Sequence, residues 1–152
     1  MKLGLCQIPV TASKMENDAA MRRYVRDAAA AGCDLVVLPE MWCCPYDNAA
    51  FADYAEPQGG RTWRLLRDTA RESGVWLVAG SVPERDGDAI YNTCYVFDPT
   101  GTQRAKHRKV HLFDIDVAGG QRFFESDTLS PGQHYTLFDT PFGKVGVAIC
   151  FD

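Results

Sequence analysis

The apolar residues of this chain come in short runs of five to eight, far below the roughly 20 needed to span a bilayer as a helix. Runs of that length, punctuated by Gly, Pro and Asp, are the signature of strands buried in a sheet. Asp34 to Leu38 reads as a strand of the doubly buried, parallel kind. Residues 3–9 read as a first strand that stops at Pro9. Val75 to Val82, Ile90 to Phe97 and Gln103 to Val110 read as further strands, the last with a basic exit. Asp86-Gly87-Asp88 and Pro99-Thr100-Gly101 turn the chain between them. Two last strands, near Tyr135–Phe138 and Lys144–Ile149, flank the turn Thr140-Pro141-Phe142-Gly143.

Helical spacing occupies two of the gaps. Ser13-Lys14-Met15-Glu16 has the spacing of a capping box, and Met21, Val25, Ala28 and Ala29 then fall on one face of a helix that ends near Gly32, a residue suited to the left-handed cap. From Thr62 to Ser73, Trp63, Leu66 and Ala70 mark the buried side of a second helix, closed by Gly74. Residues 41–60 read as a connection carrying Trp42, Tyr46 and Phe51. Residues 112–133 read as a long loop, and a loop of that length in a compact domain usually has a task. Strand, helix, strand, helix and then strands in succession predict an α/β domain with a mixed sheet and two helices on one face. No repeat or linker divides the 152 residues, which suffice for one domain with a core.

The net charge of −4 gives no general support to nucleic-acid or anionic-membrane binding. Met1-Lys2-Leu3-Gly4-Leu5-Cys6-Gln7 lacks the apolar core and cleavage site of a secretory signal. The six cysteines show no CxxC pair or framework spacing. Cys6, Cys94 and Cys150 lie in apolar runs, where a thiol acts as a small hydrophobe, and adjacent Cys43 and Cys44 are badly placed to bridge each other. Reduced thiols and a cytoplasmic location are the expectation.

Three segments carry chemistry. Leu35–Leu38 followed by Pro39 delivers Glu40, the basic stretch Lys106-His107-Arg108-Lys109 delivers Lys109, and Val145–Ile149 delivers Cys150 at what reads as the C-terminal end of a second buried, parallel-type strand, the edge at which open α/β sheets bind ligands. Each has an ordinary reading: a core thiol, a solvated or capping glutamate, a basic surface face. A carboxylate beside a thiol can also serve as general base and then acid, and a lysine can hold a developing oxyanion. The basic stretch could instead bind phosphate or nucleic acid, with salt-sensitive affinity. His107 and His111 would share one face at period two, but no third metal ligand accompanies them. Trp42 and Tyr46, just past Glu40, are candidates for lining a pocket, whereas Trp63 and Trp76 read as core.

Taken together, Leu38-Pro39-Glu40, His107-Arg108-Lys109 and Gly146-Val147-Ala148-Ile149-Cys150-Phe151-Asp152 resemble the three catalytic motifs of the nitrilase, or carbon–nitrogen hydrolase, superfamily, in its order and spacing. Cys44-Pro45-Tyr46-Asp47, Ser81-Val82-Pro83-Glu84-Arg85, His111–Asp116 and Phe124–Gly132 make the likeness closest to the ω-amidase branch. That resemblance implies an α-β-β-α sandwich, of which residues 1–152 would supply roughly the N-terminal half as a partial domain. It implies Cys150 as nucleophile, Glu40 as acid–base, Lys109 with the Phe151 backbone N–H as oxyanion donors, and Glu125 as a second carboxylate that positions Lys109 or water. Tyr46, Phe113 and Phe151 would line the substrate site. The implied reaction is hydrolysis of small ω-amides of dicarboxylic acids, with no metal or organic cofactor, in a protein that dimerises through a helical face when full length. Carbamoyl amidase, deaminated-glutathione amidase and nitrilase activities are the alternatives within the superfamily. An inactive truncated subunit that only associates with others is the alternative outside it.

Overall fold

A computed structural model describes residues 1–152. Strand β1 (Leu3–Leu5) leads to helix α1 (Lys14–Ala30), whose N-cap Ser13 accepts a hydrogen bond from the Glu16 N–H and which is followed by Gly32 at φ 79°. Strand β2 (Leu35–Val37), helix α2 (Asn48–Tyr54), helix α3 (Arg61–Ser73) and strand β3 (Trp76–Val78) follow, with Gly74 capping α3 in the left-handed region. Strands β1, β2 and β3 pair in parallel. Strand β5 (Ala89–Phe97) then runs antiparallel to three partners. Along one edge it meets β3 and β4 (Val82–Asp86), and along the other β6 (Gln103–Arg108).

The two faces of this mixed sheet are buried differently. Val36, Leu77, Tyr95 and Phe97 share one cluster with Met21 and Val25 of α1 and Leu66 and Ala70 of α3. Alternate residues Leu35, Trp76, Cys94 and Val96 pack the other way, on Phe138 and Ile149, as the two-residue side-chain period of a strand requires. Phe138 belongs to β9 (Thr136–Thr140), which pairs antiparallel with β10 (Gly143–Val147). Its ring stacks on Trp76 with centroids 6.0 Å apart. Helices, large sheet and small sheet thus form an α-β-β series of layers.

Four expectations need correction. The run Val75–Val82 is two strands, because Gly80 takes φ 55° and lies where a Cβ would be 2.0 Å from the Pro39 carbonyl oxygen; only glycine lets the two segments approach that closely. The 41–60 connection contains α2, started by Asp47, whose carboxylate accepts from the Ala50 N–H at 2.7 Å. The 112–133 loop contains a hairpin of β7 (Asp114–Asp116) and β8 (Arg122–Phe124). Finally, β10 is neither parallel nor deeply buried: Lys144 and Gly146 face solvent and only one side packs on the large sheet.

Candidate active site

Glu40 leaves β2 through a constrained exit. The Pro39 carbonyl accepts from the Ser81 N–H at 3.2 Å, and the Ser81 hydroxyl accepts from the Met41 N–H at 3.0 Å, while Met41 itself sits at φ 47°. The parallel register of β2 and β3 therefore delivers the carboxylate beside the end of β3. Lys109 leaves the adjacent end of β6, its N–H donating to the Asn92 carbonyl at 2.9 Å and its carbonyl accepting from Gly132 at 2.7 Å. Glu125 comes from a 3₁₀ turn (Glu125–Asp127) directly after β8, where it exchanges two bonds with Phe113: its N–H donates to the Phe113 carbonyl at 3.2 Å, and its Oε2 accepts from the Phe113 N–H at 2.6 Å.

The three side chains meet. Lys109 Nζ, 0% exposed, lies 3.1 Å from Glu40 Oε1 and 2.9 Å from Glu125 Oε2, and Glu125 is also 0% exposed. Burial works against the ammonium, but hydrogen bonding to Glu125 and the charges of Glu40 and Glu125 outweigh it and hold the Lys109 pKa above its ordinary value. The Tyr46 hydroxyl bridges both carboxylates, to Glu125 Oε1 and to Glu40 Oε1 at 3.3 Å. Burial and these two anions push its phenol far up, so it stays a neutral donor. Tyr46 therefore joins the polar cluster itself, beyond the wall role expected of it. Trp42 does not line a pocket: it is wholly buried and its indole N–H donates to the Ala79 carbonyl at 3.1 Å.

Cys150 occupies a turn, with φ 50°. A non-glycine residue there is strained, and such strain collects at functional positions. The Cys150 residue is exposed, unlike buried Cys6 and Cys94, and all six thiols are free. It shares a cleft of about 110 Å³ with Glu40, walled by Val37, Leu38, Val78 and Val147. Burial, then the negative charge of Glu40, raise the thiol pKa, and the Lys109 charge only partly opposes them. The resting sulfur is thus a protonated thiol with a carboxylate at hand. The Phe113 and Phe151 rings meet edge to face, 5.8 Å between centroids, with Phe151 largely exposed.

Sequence reasoning missed two parts of this arrangement. Asn92 donates its amide to Glu40 Oε1 at 2.8 Å. The available signal was a polar residue inside the apolar run Ile90–Phe97, since a buried polar group is the informative exception in a core. Asp152, which in the sequence merely closes the cysteine motif, is the second: its carboxylate fastens the Cys150 turn to the lysine segment. It accepts from the N–H groups of Ile149, Val110 and His111 at 2.8–2.9 Å and contacts His107 Nε2 at 2.8 Å. Burial alone would raise its pKa, but His107 and the three backbone donors lower it to about 2 from an ordinary 3.8. A depressed carboxylate adds stability that is complete above its unfolded pKa and vanishes as pH falls through the folded one. The protein is therefore expected to lose stability between pH 3.8 and about 2 partly through Asp152. Urea unfolding across that range should show a shallower loss in Asp152→Asn, and an unchanged slope would rule the linkage out.

The histidine pair is no metal pair: His107 is buried, with Thr136 Oγ1 3.0 Å from Nδ1, whereas the His111 side chain is 66% exposed. No three His, Cys, Asp or Glu side chains are grouped to hold an ion. The basic cluster is largely neutralised. Lys106 lies 2.6 Å from Glu84, and Arg108 lies 2.9 Å from Glu84 and 2.7 Å from Asp86. A roomier cleft of about 340 Å³ beside these residues therefore presents cations already engaged by carboxylates, and lies on residues distinct from those around Cys150.

No helix is long and apolar enough to cross a membrane. The family model for carbon-nitrogen hydrolases matches residues 2–152. The chain is 48% identical over 151 residues to omega-amidase NIT2 of Danio rerio, covering 99% of this chain and 54% of that protein. It is 44% identical to omega-amidase NIT2 of Homo sapiens, with 99% and 55% covered. Among solved structures, Nit3 of Saccharomyces cerevisiae, a member of branch 10 of the nitrilase superfamily, superposes with a TM-score of 0.87 at 35% identity, over 99% of this chain and 55% of that one. The chain spans about half the length of the curated relatives it matches. Its fold, with the family match over nearly all its residues, shows that this chain belongs to the carbon-nitrogen hydrolase family.

Proposed function

We propose that the full-length protein hydrolyses small ω-amides of dicarboxylic acids, such as succinamate or α-ketoglutaramate, through a Cys150 thioester. The observation that carries this reading is one hydrogen-bonded cluster, Glu40–Lys109–Glu125, whose base shares a cleft with an exposed thiol on a strained turn. The substrate class rests on the omega-amidase names of the relatives.

In the first step Glu40 takes the thiol proton as Sγ bonds to the amide carbon. The carbonyl oxygen becomes an anion held by Lys109 and the Phe151 N–H. Glu40 then protonates the nitrogen, the C–N bond breaks and ammonia leaves. In the second step Glu40 deprotonates a water that attacks the thioester; the carboxylic acid departs and the proton returns to sulfur. Glu125, which receives both Tyr46 and Lys109, keeps the ammonium aimed at the oxyanion.

The test is ammonia release by the full-length protein from succinamate, a carbamoyl amino acid and a nitrile. Preferential turnover of the ω-amide, with a hydroxylamine-sensitive acyl adduct on Cys150 seen by mass spectrometry, supports the reading. Preference for the carbamoyl compound or nitrile overturns the substrate class, and full turnover by Cys150→Ala overturns the mechanism.

A further inference from the structure

We propose that Asn92 is a positioning residue for the proposed base: it saturates one oxygen of Glu40 so that the other, Oε2, is the atom that takes the thiol proton. This rests on the reading of Glu40 as the general base and deepens it.

The geometry is specific to the two oxygens of one carboxylate. Oε1 lies within reach of three donors, Asn92 Nδ2 at 2.8 Å, Lys109 Nζ at 3.1 Å and the Tyr46 hydroxyl at 3.3 Å. No N–H or O–H group donates to Oε2, and the one further hydrogen-bonding influence on this carboxylate comes from the Cys150 thiol. Because Glu40 borders the Cys150 cleft, its undonated oxygen is the one with lone pairs to spare for a proton. Of the three donors, Asn92 makes the shortest bond and is the only one whose side chain engages Glu40 alone, since Lys109 and Tyr46 also serve Glu125.

Asn92 also ties the two halves of the cluster together. Its side chain holds Glu40 while its backbone carbonyl holds the Lys109 N–H at 2.9 Å. The residue is wholly buried and sits within β5, paired with Pro83 of β4 on one edge and bonded to Lys109, just past the end of β6, on the other. It does not border the cleft, so it touches no substrate and acts through Glu40.

Two features say why an amide stands here. The cluster already holds two carboxylates against one ammonium, so an aspartate at this position would add a second surplus negative charge and drive a proton onto one of them. And the Asn92 Oδ1 is buried with no hydrogen-bond partner. An orphaned buried acceptor costs stability, so the packing of the core does not account for the choice of an amide, whereas its donor, aimed at Glu40, does.

The experiment compares the wild type, Asn92→Leu and Asn92→Asp in the full-length protein, with Glu40→Gln and Cys150→Ala beside them. Asn92→Leu keeps the branched shape of the side chain and removes the donor. Its kcat is expected to fall about 10- to 100-fold, a part of the ~10²–10⁴ that a positioned base supplies, with KM within about twofold. Losing a donor to the charged form raises the carboxylate pKa, so the acid limb of kcat/KM moves to higher pH. Asn92→Asp, differing by the amide group alone, moves that limb further up. A purely structural role would lower thermal stability and leave the limb in place.

A limb at its wild-type pH in Asn92→Asp, or an unchanged kcat in folded Asn92→Leu, overturns the proposal. Should Asn92→Leu fail to fold, the near-isosteric Asn92→Asp decides by the position of its limb. The control variants separate this outcome from failure of the underlying reading. If Glu40→Gln and Cys150→Ala are inactive while both Asn92 variants behave as wild type, only the role of Asn92 falls. If Glu40→Gln turns over normally, the base assignment itself falls.

Discussion

Glu40→Gln is expected to lower steady-state turnover by about 10²–10⁴-fold while making Cys150 more reactive toward a small neutral alkylating agent at pH 7–8. The two effects have opposite signs because Glu40 acts on the sulfur in two ways. As a base it accepts the thiol proton at the moment of attack, and glutamine cannot do so. As a charge it disfavours the thiolate: after burial, its carboxylate is the largest influence raising the thiol pKa, with the Lys109 charge pulling the other way. Removing the carboxylate leaves Lys109 less opposed, the pKa falls, and at a fixed pH below it the thiolate fraction rises. The measurement is the alkylation rate of Cys150 against pH in both proteins, alongside ammonia release. A wild-type midpoint below that of Glu40→Gln would show that the Glu40 charge does not disfavour the thiolate.

That outcome turns on details only partly legible in the primary structure. The segments delivering Glu40 and Lys109 read correctly as strand exits because local patterning is strong there: an apolar run ended by Pro39, and a basic stretch leaving β6. Helices α1 and α3 were legible from their caps and their buried stripes for the same reason. Where tertiary contact overrides local pattern, the reading failed. Val75–Val82 is uniformly apolar, so nothing local announces the break at Gly80; the break exists because Pro39 of another segment presses against it. Helix α2 is too short for a periodic stripe, and the β7–β8 hairpin has too few residues per strand to show alternation. Strand β10 was read as buried and parallel because its apolar run resembles Leu35–Leu38, yet its pairing with β9 and its half-exposed face come from partners that no run reveals. The site shows the same division. Glu125 was reached through resemblance alone and Tyr46 only as a pocket-wall candidate beside Glu40, since their meeting 79 residues apart is a product of topology. Asn92 and Asp152 escaped because a hydrogen bond from a core amide, or a carboxylate fastening a turn, leaves no spacing to recognise.

The second large effect concerns the cation. Lys109→Met is expected to cut turnover about 10²–10³-fold, the loss typical of a removed oxyanion donor, and to cost about 3–5 kcal/mol of stability, as breaking a buried ion pair does. The stability loss follows from what is left behind. Glu125 is wholly buried and Glu40 mostly so; without the ammonium they face each other across a gap that methionine fills but does not neutralise. One of them then gains a proton in the folded state, its pKa raised above the unfolded value. A carboxyl shifted upward stabilises the fold at pH below its unfolded pKa and loses that contribution as pH rises through the folded one. The variant should therefore be less impaired at pH 4–5 than at pH 7, opposite to the acid sensitivity conferred by Asp152. Adding Glu125→Gln to Lys109→Met removes the stranded charge, so the double variant should regain much of the lost stability in urea unfolding at pH 7 and none of the lost turnover. That split separates the two roles of Lys109, as counter-ion to a buried glutamate and as donor to an oxyanion. Recovery of turnover in the double variant would show that Lys109 acts only by holding the fold together, and equal instability of single and double variants would show that Glu125 carries no buried charge for it to balance.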